Sequence, residues 1–131
     1  MQHLRMTIDE WRDRVDHSST IDEPSWDQVK QAIVALDGIV KTIVTLSKND
    51  ETYMMVCGQW ENLYMVNASF NNENFFSLID PRRSPRKVIL FVGGQNGDFE
   101  ENKCISRSQA LDAAEHYYLT GELKGTLPWT S

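Results

Sequence analysis

The residues of this chain best suited to chemistry are Cys57 and Cys104 and the histidines His3, His17 and His116. A thiol attacks as its thiolate, and lowering its pKa takes a neighbouring base, a cation or a helix N-terminus. Cys57 sits inside an apolar strand pattern, whereas Cys104 stands two residues before Ser106, where the pattern places a helix N-cap. One reading is a small hydrolase that uses Cys104 with a histidine brought close by folding; the other is a pair of buried, inert thiols. The histidines fall on a strand, a loop and a helix, and none stands at a short ligand spacing from Cys, Asp or Glu. His-Glu-x-x-His, paired Cys-x-x-Cys and the deaminase pattern of His-x-Glu with Pro-Cys-x-x-Cys are all missing. The expectation is no catalytic residue, no metal and no cofactor.

Gly93-Gly94-Gln95-Asn96-Gly97 follows an apolar strand as a phosphate loop would. Its spacing fits neither the dinucleotide fingerprint nor the Gly-Lys-Ser/Thr loop, and no helix opens directly behind it. Asn96-Gly97, both tolerant of positive φ, reads as a tight turn. Arg82, Arg83, Arg86 and Lys87 lie in and just beyond a loop bracketed by Pro81 and Pro85. They read either as a patch for phosphate or as a solvated strand flank. Asp98-Phe99-Glu100-Glu101 sets an aromatic among carboxylates, the composition of an interface that meets a basic surface and anchors one ring. Trp60-Glu61 places another aromatic at a turn, folded back onto a sheet or presented to a partner.

Local pattern defines the elements that position these residues. Leu4, Met6 and Ile8 alternate with polar residues as in a half-buried strand, and the polar, acidic stretch from Asp13 to Glu23 reads as a loop. Ser25 with Gln28 and Ser106 with Gln109 are capping boxes, opening helices over about 26–37 and 107–120. Between them, β-rich stretches at 39–46, 52–57, 63–70, 74–79 and 87–92 are separated by connections too short for crossover helices, so they should form an antiparallel meander. Cys104-Ile105 adds a last short strand. The expected fold class is α+β: an antiparallel β-meander sheet with two helices packed on one face.

The chain has 131 residues, 40% hydrophobic, with a formal charge of −6, so residues 1–131 are expected to form a single domain with a core of its own. No apolar run approaches the roughly 20 residues of a membrane-spanning helix, and no secretory leader is visible. Two well-separated cysteines point to a reducing cytoplasm. The acidic balance argues against direct nucleic-acid binding, which relies on Lys and Arg neutralising phosphates, and favours a basic partner. Seven acids against two bases lie between Asp9 and Asp27, a second acidic cluster besides the one after Gly97.

The stretch Gly93-Gly94-x-x-Gly97-Asp98, then Ile105 to Ala114 with Ser106, Gln109, Ala110, Leu111 and Ala114, then Tyr117-Tyr118-Leu119-Thr120-Gly121-Glu122 and finally Trp129, resembles the C-terminal half of a bacterial immunity-protein family. It is the first-numbered immunity family of polymorphic toxin systems, often encoded beside deaminase toxins; where that family more often has Phe, this chain has Tyr117-Tyr118. The motif residues read as structural: Ser106 and Gln109 cap, Ala110, Leu111 and Ala114 pack on the sheet, Gly121 ends the helix, and Trp129 covers the helix end. The resemblance implies a one-to-one inhibitor of a cognate, basic toxin domain. Its contact patch is expected at Trp60, Glu61, Asp98, Phe99, Glu100 and Glu101, at hairpin tips. The alternatives are the Cys104 hydrolase and an adaptor that binds an unrelated protein through its sheet edge.

Overall fold

Met6 and Ile8, alternating with Arg5 and Thr7, form strand β1 (Arg5–Ile8) in the computed structural model of the chain, which describes residues 3–131. There follow β2 (Trp11–Arg12), β3 (Val15–Asp16), β4 (Ser19–Asp22), helix α1 (Trp26–Val34), β5 (Ile43–Ser47), β6 (Tyr53–Trp60), β7 (Leu63–Phe70) and β8 (Asn74–Leu78). The chain continues with β9 (Lys87–Val92), β10 (Gln95–Glu100), a 3-10 turn (Glu101–Lys103), β11 (Ile105–Ser106), helix α2 (Arg107–Thr120) and β12 (Trp129–Thr130). One antiparallel sheet runs β12-β8-β7-β6-β5-β1-β4, with β11 beside β7. The fold is α+β, and β5 to β8 form the expected meander.

Both helices begin at their capping boxes. Ser25 Oγ accepts the Gln28 N–H (3.1 Å) while Gln28 Oε1 accepts the Ser25 N–H (2.9 Å), and Ser106 and Gln109 repeat the exchange at 3.2 and 3.0 Å. Gly121 ends α2 in the left-handed conformation, φ 75°, which glycine adopts without a Cβ clash. Val29 and Ile33 of α1 and Ala110, Ala113, Ala114 and Tyr117 of α2 share one buried cluster with Met6, Val44, Leu46, Met54, Val56 and Val66 of the sheet. Full burial of each large side chain is worth about 1.5–3 kcal/mol, so this cluster supplies most of the drive to fold. Tyr118 ties the helices together: its hydroxyl donates to Pro24 O (2.7 Å) and its ring lies 5.9 Å from that of Trp26.

The stretch 13–23 is not a loop. Asp13 and Arg14, at φ 51° and 67°, turn β2 into β3, and β4 pairs with β1 at the sheet edge. Only Ile21 of β4 turns toward the core, while Ser19, Thr20 and Asp22 are exposed, so the strand carries no apolar alternation to read. Nor does 87–92 extend the meander. β9 pairs only with β10, forming a separate hairpin whose Leu90, Val92 and Phe99 pack with Cys57, Met65 and Cys104 on the sheet face opposite the helices. Its turn is Gly93-Gly94, φ 61° and 84°, not Asn96-Gly97; a two-residue turn there puts the apolar residues of both strands on one face. Asp98, Phe99 and Glu100 therefore belong to strand β10 rather than to a hairpin tip.

Asp9 is buried where these parts meet. Its carboxylate accepts the backbone N–H groups of Thr42 (2.7 Å) and Ile43 (2.8 Å), the Trp11 indole N–H (2.8 Å) and the Thr42 hydroxyl. The Thr42 hydroxyl oxygen in turn accepts the Gly93 N–H (3.1 Å). Asp9→Ala orphans these four buried or part-buried donors, and equilibrium denaturation should show a loss of about 3 kcal/mol or more. Asp22→Ala, which removes only the exposed Arg5–Asp22 pair, should change stability by no more than about 0.5 kcal/mol.

Candidate functional site

Three connections enclose a cleft of about 650 Å³: the segment after α1, the β6–β7 turn and the β9–β10 hairpin with its flanks. Asp37 shapes the first. Its carboxylate accepts the N–H groups of Ile39 (2.9 Å), Val40 (2.9 Å) and Lys41 (3.0 Å). Burial by itself would raise this carboxyl, but the N–H groups of Ile39, Lys41 and Val40, with the Lys41 charge, outweigh it and hold it below the usual range. Those amides cannot join a sheet ladder while they bind Asp37. The strand expected from Ile39 accordingly starts at Ile43, and α1 ends at Val34 rather than Asp37.

The same loop leaves Ile39 72% exposed at the cleft mouth, and across from it on the hairpin Ile89 is 71% exposed. The same cleft is lined by Trp60, the last residue of β6, before the tight turn Glu61-Asn62 at φ 53° and 67°. The indole is wedged against Gly38: a Cβ there would lie 2.4 Å from Gln59 O and 2.9 Å from Trp60 Nε1. Gly38 also holds φ 72°. Trp60 Nε1 is buried with no hydrogen-bond partner among the described residues. The ring is thus fixed by packing, without a polar tether.

Three of the basic loop residues are paired with acids. Asp80 is buried, and Arg82 binds it through Nε and Nη2 at 3.0 and 3.1 Å, holding its carboxyl below the usual range. Arg83 adds a second contact at 3.3 Å, and Arg86 pairs with Glu101 at 2.5 Å. Of the expected phosphate patch, only Lys87 is left without an ion pair among the described residues.

Of the expected contact patch, the structure brings Trp60, Glu61 and Glu101 into this cleft. Asp98 lies outside it on β10, directly opposite Ile89, and Glu100 lies opposite Lys87. Phe99 points the other way: its ring folds over Gly97 and packs into the second core, so it is structural packing rather than a presented anchor. Ile39, Ile89 and Asp37 were not picked out from sequence. The outward position of Ile89 was readable from the alternation of Val88, Leu90 and Val92, whereas that of Ile39 depends on the Asp37 hydrogen bonds.

The motif residues of the C-terminal half are structural. Ser106 and Gln109 cap, Ala110, Ala114, Tyr117 and Tyr118 are buried, Leu111 is half-buried against the same core, and Gly121 ends the helix. Trp129 is half-buried against the core that α2 shares. It pairs opposite Leu78 at the sheet edge, and its indole N–H donates to Lys124 O (3.0 Å) in the tail beyond Gly121. Both cysteines are free and buried; burial pushes the Cys57 thiol up to about 12 and raises Cys104 as well. Among the described residues no group of three or more His, Cys, Asp and Glu is arranged to hold a metal, and no helix is long and apolar enough to cross a membrane.

Fold and cleft together define a class: an antiparallel α+β domain whose added hairpin leaves an apolar, acid-flanked cleft beside the sheet. No family model, no curated protein and no solved structure matches the chain.

Two outcomes follow from this geometry. Gly38→Ala introduces both a steric overlap and a disfavoured φ, so chemical denaturation should show a loss of about 1–3 kcal/mol and Trp60 fluorescence should shift. The Cys57 thiol holds its proton up to about pH 12 when folded but only to about 9 when unfolded. Its contribution to stability is therefore complete below pH 9 and is lost progressively as pH rises from 9 to 12. Cys57→Ala should flatten the fall of stability over that interval, measured by urea titrations at stepped pH.

Proposed function

We propose that this protein is a non-enzymatic immunity protein that binds the catalytic domain of a cognate bacterial toxin one to one and blocks its active site or substrate cleft. The toxin is of the nucleic-acid-targeting kind, with deaminases the favoured chemistry. The observation that carries this reading is the cleft: two isoleucines more than 70% exposed line it together with a tryptophan packed against Gly38. Exposed apolar side chains rimmed by charge mark protein-interaction surfaces, and an aromatic fixed in advance loses little entropy on binding.

The choice of partner rests on the resemblance of Gly93 to Trp129 and on the net charge of −6. A toxin that acts on nucleic acid needs a basic cleft for phosphates. An acidic protein is steered toward such a cleft and competes with substrate there. Raised thiol pKa values at both cysteines work against the hydrolase alternative, because a protonated thiol is a poor nucleophile.

Co-expression with the toxin domain encoded by the neighbouring reading frame tests the proposal. Cells should survive, the two chains should co-purify in equal amounts, and Cys104→Ala should protect as well as the wild type. Persistent toxicity with no complex overturns it.

A further inference from the structure

We infer that the cleft between Ile39 and Ile89 seats a loop of the partner protein that carries a lysine or arginine beside a bulky apolar residue. This rests on the inhibitor reading above and adds the surface and the chemistry it meets. Of the cleft's two arginines, Arg86 is paired with Glu101, while Arg83 shares the single Asp80 carboxylate with Arg82 and its Nε makes no hydrogen bond among the described residues. The acids on the opposite wall are not balanced in the same way. Glu61 makes no ion pair among the described residues, and Asp37 spends its carboxylate on backbone N–H groups while remaining exposed. Asp98, opposite Ile89 and also without an ion pair among the described residues, extends the same sign along the hairpin.

Asp37, Glu61 and Asp98 carry no ion pair among the described residues, against Lys87 and the one charge by which Arg82 and Arg83 exceed Asp80, so the balance around the mouth is negative by a single charge, and the surface between the charges is apolar. A cation entering beside Glu61 meets an available carboxylate, while a neighbouring apolar side chain covers Ile39, Trp60 and Ile89. A cleft of about 650 Å³ is the size of pockets that enclose a few side chains rather than a whole helix, which suits a loop. The other acidic region is less suited to the role. Of its acids, Asp9 is buried and Glu23, Asp22 and Glu10 are paired with His3, Arg5 and Arg12, while Asp13, Asp16 and Asp27 make no ion pair among the described residues. The depression beside it, lined by His3, Arg5, Thr7, Thr20 and Asp22 among others, offers no large apolar side chain.

The test has two arms, each using full-length variants whose thermal unfolding matches the wild type. In the first, binding to the neighbouring toxin domain is timed. Ile39→Ala with Ile89→Ala should weaken the complex about thirtyfold, mostly through faster dissociation. Glu61→Lys should slow association about tenfold at low salt and less at high salt. Asp22→Lys and Glu115→Lys, away from the cleft, should stay within about twofold. If the wild type binds and protects but the cleft variants match it, the cleft assignment is wrong while the inhibitor reading stands. In the second arm, random short displayed peptides are selected on the immobilised protein, so the cleft is probed without any toxin. Peptides that pair Lys or Arg with Leu, Ile, Phe or Trp should be enriched and lost on Glu61→Lys. Enrichment of acidic peptides, or none, overturns the inference; absence of toxin binding in the first arm counts against the inhibitor reading alone.

Discussion

The buried carboxylate of Asp9 is the interaction on which the arrangement of this protein depends. A carboxylate removed from water must have its oxygens filled by donors, or it costs several kcal/mol. Here the donors come from the start of β5, from the Thr42 hydroxyl and from the Trp11 indole. The consequence passes outward in two directions. Thr42, held by Asp9, receives the Gly93 N–H, and the Trp11 ring lies over Gly94, where a Cβ would come within 2.6 Å of it. One acid thus joins β1 to β5 and fixes the tip of a hairpin that shares no ladder with the sheet.

The far end of that hairpin is fixed by a second buried acid. Asp80 receives Arg82 and Arg83, its N–H bonds Asn102 O (2.7 Å), and Glu101 N–H bonds Arg86 O (2.9 Å). Between these two attachments the hairpin covers only part of the sheet, over Cys57, Met65 and Cys104. The two sheet faces are therefore unequal. The helices close one completely with a conventional apolar core, whereas the hairpin leaves a cleft at the other. Ile39, Trp60 and Ile89 line that cleft together with Arg83 and Arg86.

Much of the helical part was legible from short-range signals. Capping boxes, the left-handed glycine at Gly121 and the apolar stripe of α2 are set by residues three or four apart, and local physics decides them. The meander from β5 to β8 was legible for a similar reason, since alternation and turn residues stand next to each other in the chain. β4 was not, because a strand at an edge with one apolar residue leaves no period to detect.

The sequence by itself determined the fold class, the two helix starts and an acidic surface without the spacing of a metal or nucleophilic site. Only the tertiary structure decided which acids are surface and which are framework, that 87–100 leaves the sheet as a hairpin, and that Phe99 turns inward while Ile39 and Ile89 stay in water. The physical reason is range. Asp9 and Thr42 are 33 residues apart and Thr42 and Gly93 are 51 apart, so the competition between solvation and burial at those sites is settled by partners that no local pattern reveals.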